Sequence, residues 1–260
     1  MAKVGMNLGD FSGLASDYAS YRPGYAASVV SLVYALLGKA PSQVDVADVG
    51  AGTGIWTRML AAHLPHSIVA IEPNDAMREQ GVLTSTETAI QWQKGSGTAT
   101  GLSDASVNLV TMASSFHWVD FEAGCREFQR ILRPGGRFVA AWNPRLIEAN
   151  PLLVEIESEI SRLKPGINRV SSGRSGVTNG LTERLWATTG FDDVIYCEGR
   201  HTVEQTPAEY LGAWRSVNDL QVQLGPDLFQ RYLAFIEEKI ATLASIPTTY
   251  LTRAWAARRI

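Results

Sequence analysis

The chain has 260 residues, with 23 Lys and Arg against 26 Asp and Glu, a formal charge of −3. Apolar residues make up 45% and charged residues 19%, a globular balance that excludes a disordered or fibrous chain. The mild acidity argues against nucleic acid or an anionic membrane as partner, because both need a basic face.

Aromatic and charged residues recur at helical spacing over Phe11 to Tyr25, up to Arg22-Pro23-Gly24. A second helix is predicted over Tyr25 to Leu37, closed by Gly38. It is too short to cross a bilayer, no basic-then-apolar leader precedes it, and a reducing, cytoplasmic location is expected. From Val44 the pattern alternates. Strands are predicted at Val44–Val49, Ser67–Ile71, Ile90–Gln93, Val107–Met112 and Arg137–Trp142. Helices are predicted at Thr57–Leu64, at Asp75–Gln80 with Asn74 as N-cap, and at Phe121–Leu132, stopped by Pro134-Gly135-Gly136. Nearly continuous apolar strands joined by helical crossovers imply an α/β fold, a Rossmann-like and mostly parallel sheet covered on both faces.

Past Asn143 the alternation loosens. Helices are expected at Leu152–Leu163, Thr182–Thr189, Pro207–Val217 and Pro226–Ala244. Strands are expected at Val194–Tyr196, Thr202–Glu204 and Tyr250–Ala256, and Lys164 to Gly180 reads as a loop. The organisation expected is an N-terminal helical cover (1–43), a core (44–145), and a helical lid with the remaining strands (146–260), in one compact unit. Cys125 and Cys197 are too few for a disulfide framework, and the four histidines lack ligand spacing, so no metal is expected.

The sharpest motif is Asp48-Val49-Gly50-Ala51-Gly52-Thr53-Gly54, directly after the first strand and before a helix. Residues without Cβ let the backbone turn sharply and approach a ligand. Ligands bind outside the carboxyl ends of such strands. A dinucleotide turn wants G-x-G-x-x-G, and the third glycine here comes one residue early. Glu72, at the end of the second strand, can hold both hydroxyls of a ribose, a use shared by either cofactor type. Spacing tilts away from a dinucleotide without excluding it.

The glycine motif resembles motif I of class I S-adenosylmethionine-dependent methyltransferases. Glu72 resembles their ribose-holding acid, and Gly97-Thr98 falls where they contact adenine. Leu132-Arg133-Pro134-Gly135-Gly136 resembles their turn before the fifth strand. Ser114-Ser115-Phe116-His117-Trp118, together with Tyr18, Tyr21, Arg22, Pro23 and Tyr25, resembles a small-molecule branch near trans-aconitate methyltransferase. The resemblance spans about residues 10 to 145. It implies a seven-stranded sheet with an antiparallel late strand, S-adenosylmethionine as cofactor, and S-adenosylhomocysteine as product. It also implies SN2 methyl transfer to a small-molecule O or N acceptor by a monomer or homodimer.

The resemblance assigns cofactor contacts to Asp48, Gly50, Ala51, Gly52, Gly54, Glu72, Pro73, Met77, Gly97, Thr98, Ser114 and Ser115. Aromatic faces stabilise a sulfonium by about 0.5–2 kcal/mol per contact, which makes Tyr18, Tyr21, Trp118 and Trp214 candidates for the acceptor pocket, with Arg215 on the helical face of Trp214. His117, just past the fourth strand, is a candidate catalytic or positioning residue. Arg22 is a candidate for holding a carboxylate, and Arg174 a candidate clamp. The competing readings are a nucleotide-dependent oxidoreductase and a cofactor-binding regulator without turnover. A nucleic-acid methyltransferase is disfavoured, because the place after the fourth strand lacks Asn/Asp-Pro-Pro-aromatic and neither cysteine follows a proline.

Overall fold

A computed structural model describes residues 11, 13–167, 176 and 178–260. One sheet runs in the order β3-β2-β1-β4-β5-β7-β6. The strands β1 (Asp45–Val49), β2 (Ser67–Ile71), β3 (Ile90–Gln93), β4 (Val107–Ala113) and β5 (Leu132–Trp142) pair in parallel. The last strand, β7 (Ile246–Arg259), lies antiparallel between β5 and β6 (Phe191–Gln205). This is the expected fold class, with the chain reversing its direction of winding between β1 and β4.

The period of two along each strand divides the core between the faces. Val46, Leu109, Val139 and Ala256 pack with α2 (Ala27–Ala35) and α3 (Ile55–Ala61). Val49, Val110, Phe138 and Trp255 pack with α5 (Phe121–Ile131) and α7 (Leu181–Trp186). Helix α5 shows the local logic. Asp120 caps it by accepting from the Ala123 amide at 2.9 Å. Gly124, Cys125, Phe128 and Ile131 recur at helical spacing and are buried, and Phe128 stacks on Phe138 of β5 at 4.6 Å. Each such aromatic contributes about 1.5–3 kcal/mol by leaving water. Asn74 caps α4 (Asp75–Leu83), accepting from the Met77 amide at 3.0 Å.

The late region departs from the sequence expectation in its strands and in the start of its last helix, Asn218 in place of Pro226. Val194–Tyr196 and Thr202–Glu204 belong to one strand, because the ladder with β7 runs from Phe191 to Gln205. Glu198-Gly199-Arg200 breaks the apolar run without breaking the pairing. A Cβ on Gly199 would come 2.8 Å from Ser28 Oγ and 2.9 Å from Val29 Cγ2, so glycine there lets α2 lie close against the sheet. Pro226 does open a helical segment. Helix α9 (Asn218–Ile240) bends at Gly225, whose φ is 75°, and Pro226 has no N–H to continue the preceding turn.

Helices α6 (Pro151–Leu163), α8 (Pro207–Arg215) and α9 form a separate apolar cluster around Trp214, Tyr232 and Ile236. Helix α1 (Ala15–Tyr21) packs on α8. Arg22 Nε donates to Ser216 Oγ at 2.7 Å, and the Tyr21 ring lies 2.4 Å from where a Cβ on Gly212 would stand. The N-terminal cover and the late helices therefore meet at one seam.

Candidate functional site

A cavity of about 280 Å³ opens at the carboxyl ends of β1, β2 and β4, where the winding reverses and ligands of open α/β sheets bind. Gly50 and Gly52 form its floor with φ of 65° and 58°, a left-handed backbone that costs glycine little. A Cβ on Gly50 would sit 2.7 Å from Ser115 Oγ. The Gly52 amide donates to Glu72 Oε2 at 2.8 Å and the Asn74 amide to Oε1 at 2.9 Å. Burial pushes the Glu72 carboxyl up, while these two amide bonds oppose the shift. Each oxygen keeps a second lone pair for a ligand hydroxyl.

On the opposite wall Ser114 holds a left-handed φ of 54°, and its Oγ hydrogen-bonds the Tyr25 hydroxyl at 2.9 Å. Trp118, 41% exposed, stands at the wall with Tyr18. A second chamber of about 100 Å³ adjoins the first. The two share Phe11, Tyr18, Arg22, Ser114, Trp118, Asn143 and Tyr250, and the second adds, among others, Arg145, Glu157 and Asn218.

The structure brings Tyr18, Arg22, Gly50, Ala51, Gly52, Glu72, Pro73, Met77, Gly97, Ser114, Ser115 and Trp118 to the main cavity. It leaves several expected residues off both linings. Asp48 lies beneath the loop, accepting from the hydroxyls of Thr57 and Thr111. Burial pushes its pKa up to about 7, against those two bonds. Gly54 is the N-cap of α3, packed so closely that a Cβ would come 2.9 Å from Trp92. Thr98 points to solvent. Tyr21 packs on Gly212. Trp214 is 1% exposed inside the late-helix cluster, and Arg215 is exposed on the surface of α8. The face shared by Trp214 and Arg215 is thus half core and half solvent. Arg174 lies outside the described residues.

His117 is the main correction. It sits on a single turn, Phe116–Trp118, that aims Trp118 into the cavity and His117 into a separate cleft beside Phe121, Leu181 and Arg184. Its Nδ1 accepts from Trp142 Nε1 at 3.3 Å, which leaves the proton on Nε2. Burial pushes its pKa down to about 4, with Asp219 opposing, so the ring is neutral near pH 7.

Sequence reasoning missed Asn143, Arg145, Glu157 and Tyr250 as lining residues. Asn143 was findable, since it follows the carboxyl end of β5. Tyr250 was not, because only the antiparallel pairing of β7 carries it to that rim, where it bridges Arg145.

A profile described as a methyltransferase domain matches residues 47–140. A Schizosaccharomyces pombe protein named as an uncharacterized methyltransferase-like protein is 30% identical over 140 residues, 54% of either chain. A Mycobacterium tuberculosis protein named as an uncharacterized methyltransferase is 33% identical over 138 residues, 52% of either chain. The chain thus spans about half the length of the curated relatives it matches. The solved structure named "Putative Type II Methyltransferase" from Anaeromyxobacter dehalogenans superposes with a TM-score of 0.61 at 21% identity, over 92% of this chain and 98% of that one. Over residues 47–140 the chain is therefore similar to a methyltransferase domain, whose cofactor would be S-adenosylmethionine.

The residues present in the methyltransferase domain fit that cofactor. The cradle is one that a Cβ on Gly50 would fill, and Glu72 offers buried acceptors to a ribose. Pro73, Met77 and Gly97 supply apolar and backbone surface beside it. Among the described residues no helix is long and apolar enough to cross a membrane, and no three His, Cys, Asp or Glu cluster as metal ligands.

Proposed function

We propose that the protein transfers a methyl group from S-adenosylmethionine to an oxygen or nitrogen of a small molecule seated in the second chamber. The observation that carries this reading is the joining of two chambers of different chemistry. The larger has the glycine cradle and Glu72, the smaller adds the charged and polar groups of Arg145, Glu157 and Asn218 to a partly apolar wall of Trp142, Ile147 and Val217, and both open on Ser114, Asn143 and Trp118. The cofactor supplies an electrophilic methyl on a sulfonium. The chain's part would be to hold the acceptor's oxygen or nitrogen in line with that methyl at the passage between the chambers, and the acceptor would give up one proton in gaining the methyl.

In this reading Glu72 accepts from the ribose hydroxyls, and the Gly50–Gly52 backbone sets the depth of the bound cofactor. Tyr18 and Trp118 flank the passage between chambers, excluding water and presenting ring faces to the sulfonium region. Tyr25 holds Ser114 in its left-handed conformation at the same passage. Alignment of nucleophile, carbon and sulfur supplies the main rate gain, of roughly 7–11 kcal/mol. His117 has no part in the chemistry, since it faces the other cleft.

The test is incubation of the protein with methyl-labelled S-adenosylmethionine and a metabolite extract. Label appearing in a small compound, dependent on Glu72, supports the reading. Label confined to added protein or nucleic acid contradicts it.

A further inference from the structure

Resting on the methyltransferase reading, we propose that the acceptor carries a single carboxylate, received in the second chamber by Arg22 and Arg145, with Arg145 as the residue that selects it. Among the described lining residues of that chamber the cations are Arg22 and Arg145, and Glu157 is the carboxylate. The balance of formal charge in the wall is therefore one positive, which fits one anionic group and not the three of a tricarboxylic acid. Asp219, buried at 1% exposure and outside the lining, offsets part of this charge from behind.

Arg22 donates through Nε and Nη2 to Ser216 and stacks its guanidinium over Tyr18 at 5.0 Å. Its Nη1 has no hydrogen bond among the described residues. Arg145 is backed by the Trp214 ring at 4.1 Å. A guanidinium packed by its face on an indole presents its N–H groups at the edges, the geometry that pairs two-pronged with a carboxylate. This gives Trp214 its place, as the plate behind Arg145 and not as a wall of the pocket. Burial works against charge on Arg22, and Arg145 adds to that effect, so a ligand anion between the two guanidiniums would relieve Arg22. Burial works against charge on Arg145 too, but Tyr250, Tyr210 and Glu157 outweigh it, Tyr250 also through a side-chain hydrogen bond, and hold the guanidinium charged.

The cofactor has a carboxylate of its own, and Arg22, which lines both chambers, can serve it. Arg145 lines only the second. A variant at Arg145 in protein already loaded with S-adenosylhomocysteine therefore reads the acceptor's anion alone.

The experiment titrates glycolate, 3-hydroxybutyrate and benzoate, each beside its neutral amide, and citrate, against the full chain with and without S-adenosylhomocysteine. Saturable rises in melting temperature and tryptophan fluorescence are followed. The proposal expects at least one monocarboxylate to bind saturably and its amide to bind at least about tenfold more weakly. Arg145→Gln should lose that preference while binding S-adenosylhomocysteine within about twofold of wild type, and Arg145→Lys should retain part of it. Equal binding of acid and amide, no saturable response to any monocarboxylate, preference for citrate, or unchanged monocarboxylate affinity in both variants would overturn it. Failure of wild-type protein to bind S-adenosylhomocysteine, with monocarboxylate binding intact, would strike the methyltransferase reading alone.

Discussion

Replacing Asp48 by Asn keeps the shape of the side chain under the glycine loop and removes its titration. In the native protein the carboxyl is buried, accepts from Thr57 and Thr111, and is raised from 3.8 to about 7. The folded state therefore holds a proton that the unfolded state releases. A raised pKa contributes stability that is fully present below the unfolded value and lost as pH rises through the folded one. The shift is about three units, and at about 1.4 kcal/mol per unit the native protein loses roughly 4 kcal/mol from this group on passing from below pH 4 to above pH 7. Glu72 shifts in the same direction. His117, lowered to about 4, acts oppositely: its contribution is present above about 6.5 and lost as pH falls through 4. The difference between wild type and Asp48→Asn cancels His117 and most of Glu72. Urea titrations of both proteins between about pH 4.5 and pH 8 should show Asp48→Asn gaining about 3 kcal/mol on wild type across that range. Parallel stability profiles would refute a protonated Asp48 beneath the loop.

Glu72→Ala should weaken S-adenosylhomocysteine binding by more than about tenfold in calorimetry, through loss of a buried charged acceptor; unchanged affinity would contradict the ribose assignment. His117→Ala should leave turnover and cofactor affinity within about threefold, at a stability loss of about 1–2 kcal/mol for the lost bond to Trp142 and the vacated volume. A loss of turnover beyond a hundredfold at normal cofactor affinity would place His117 back in the chemistry. Gly81→Ala puts a methyl 2.1 Å from Trp92 Cη2. Since Trp92 also packs on Gly54, overpacking of about 1–3 kcal/mol should lower the melting temperature and loosen the cofactor loop, read as a lower affinity for S-adenosylhomocysteine.

The parallel half of the sheet was legible because its signals are local. Each strand is a short apolar run, each helix has a cap or a stop, and the glycine turn after β1 announces a backbone that must approach a ligand. Glu72 was legible for the same reason, as an acid at a strand's end twenty residues on. The lining beyond the cofactor was less so. Trp214 and Arg215 share a helical face in the sequence, but the packing of α6 and α9 buries one and leaves the other to solvent. His117 and Trp118 are adjacent, and only the sense of one tight turn decides which enters the cavity. Arg145 and Tyr250, about a hundred residues apart, meet through the antiparallel strand β7, a pairing no local pattern encodes.

The central claim is that the cavity at the ends of β1, β2 and β4 is a site for S-adenosylmethionine and its product. Isothermal titration of wild-type protein with S-adenosylhomocysteine, beside NAD as competitor, tests it most directly. The account predicts one site per chain with micromolar affinity, about −8 kcal/mol, lost in Glu72→Ala and indifferent to NAD. Tight binding of NAD with no binding of S-adenosylhomocysteine would contradict it.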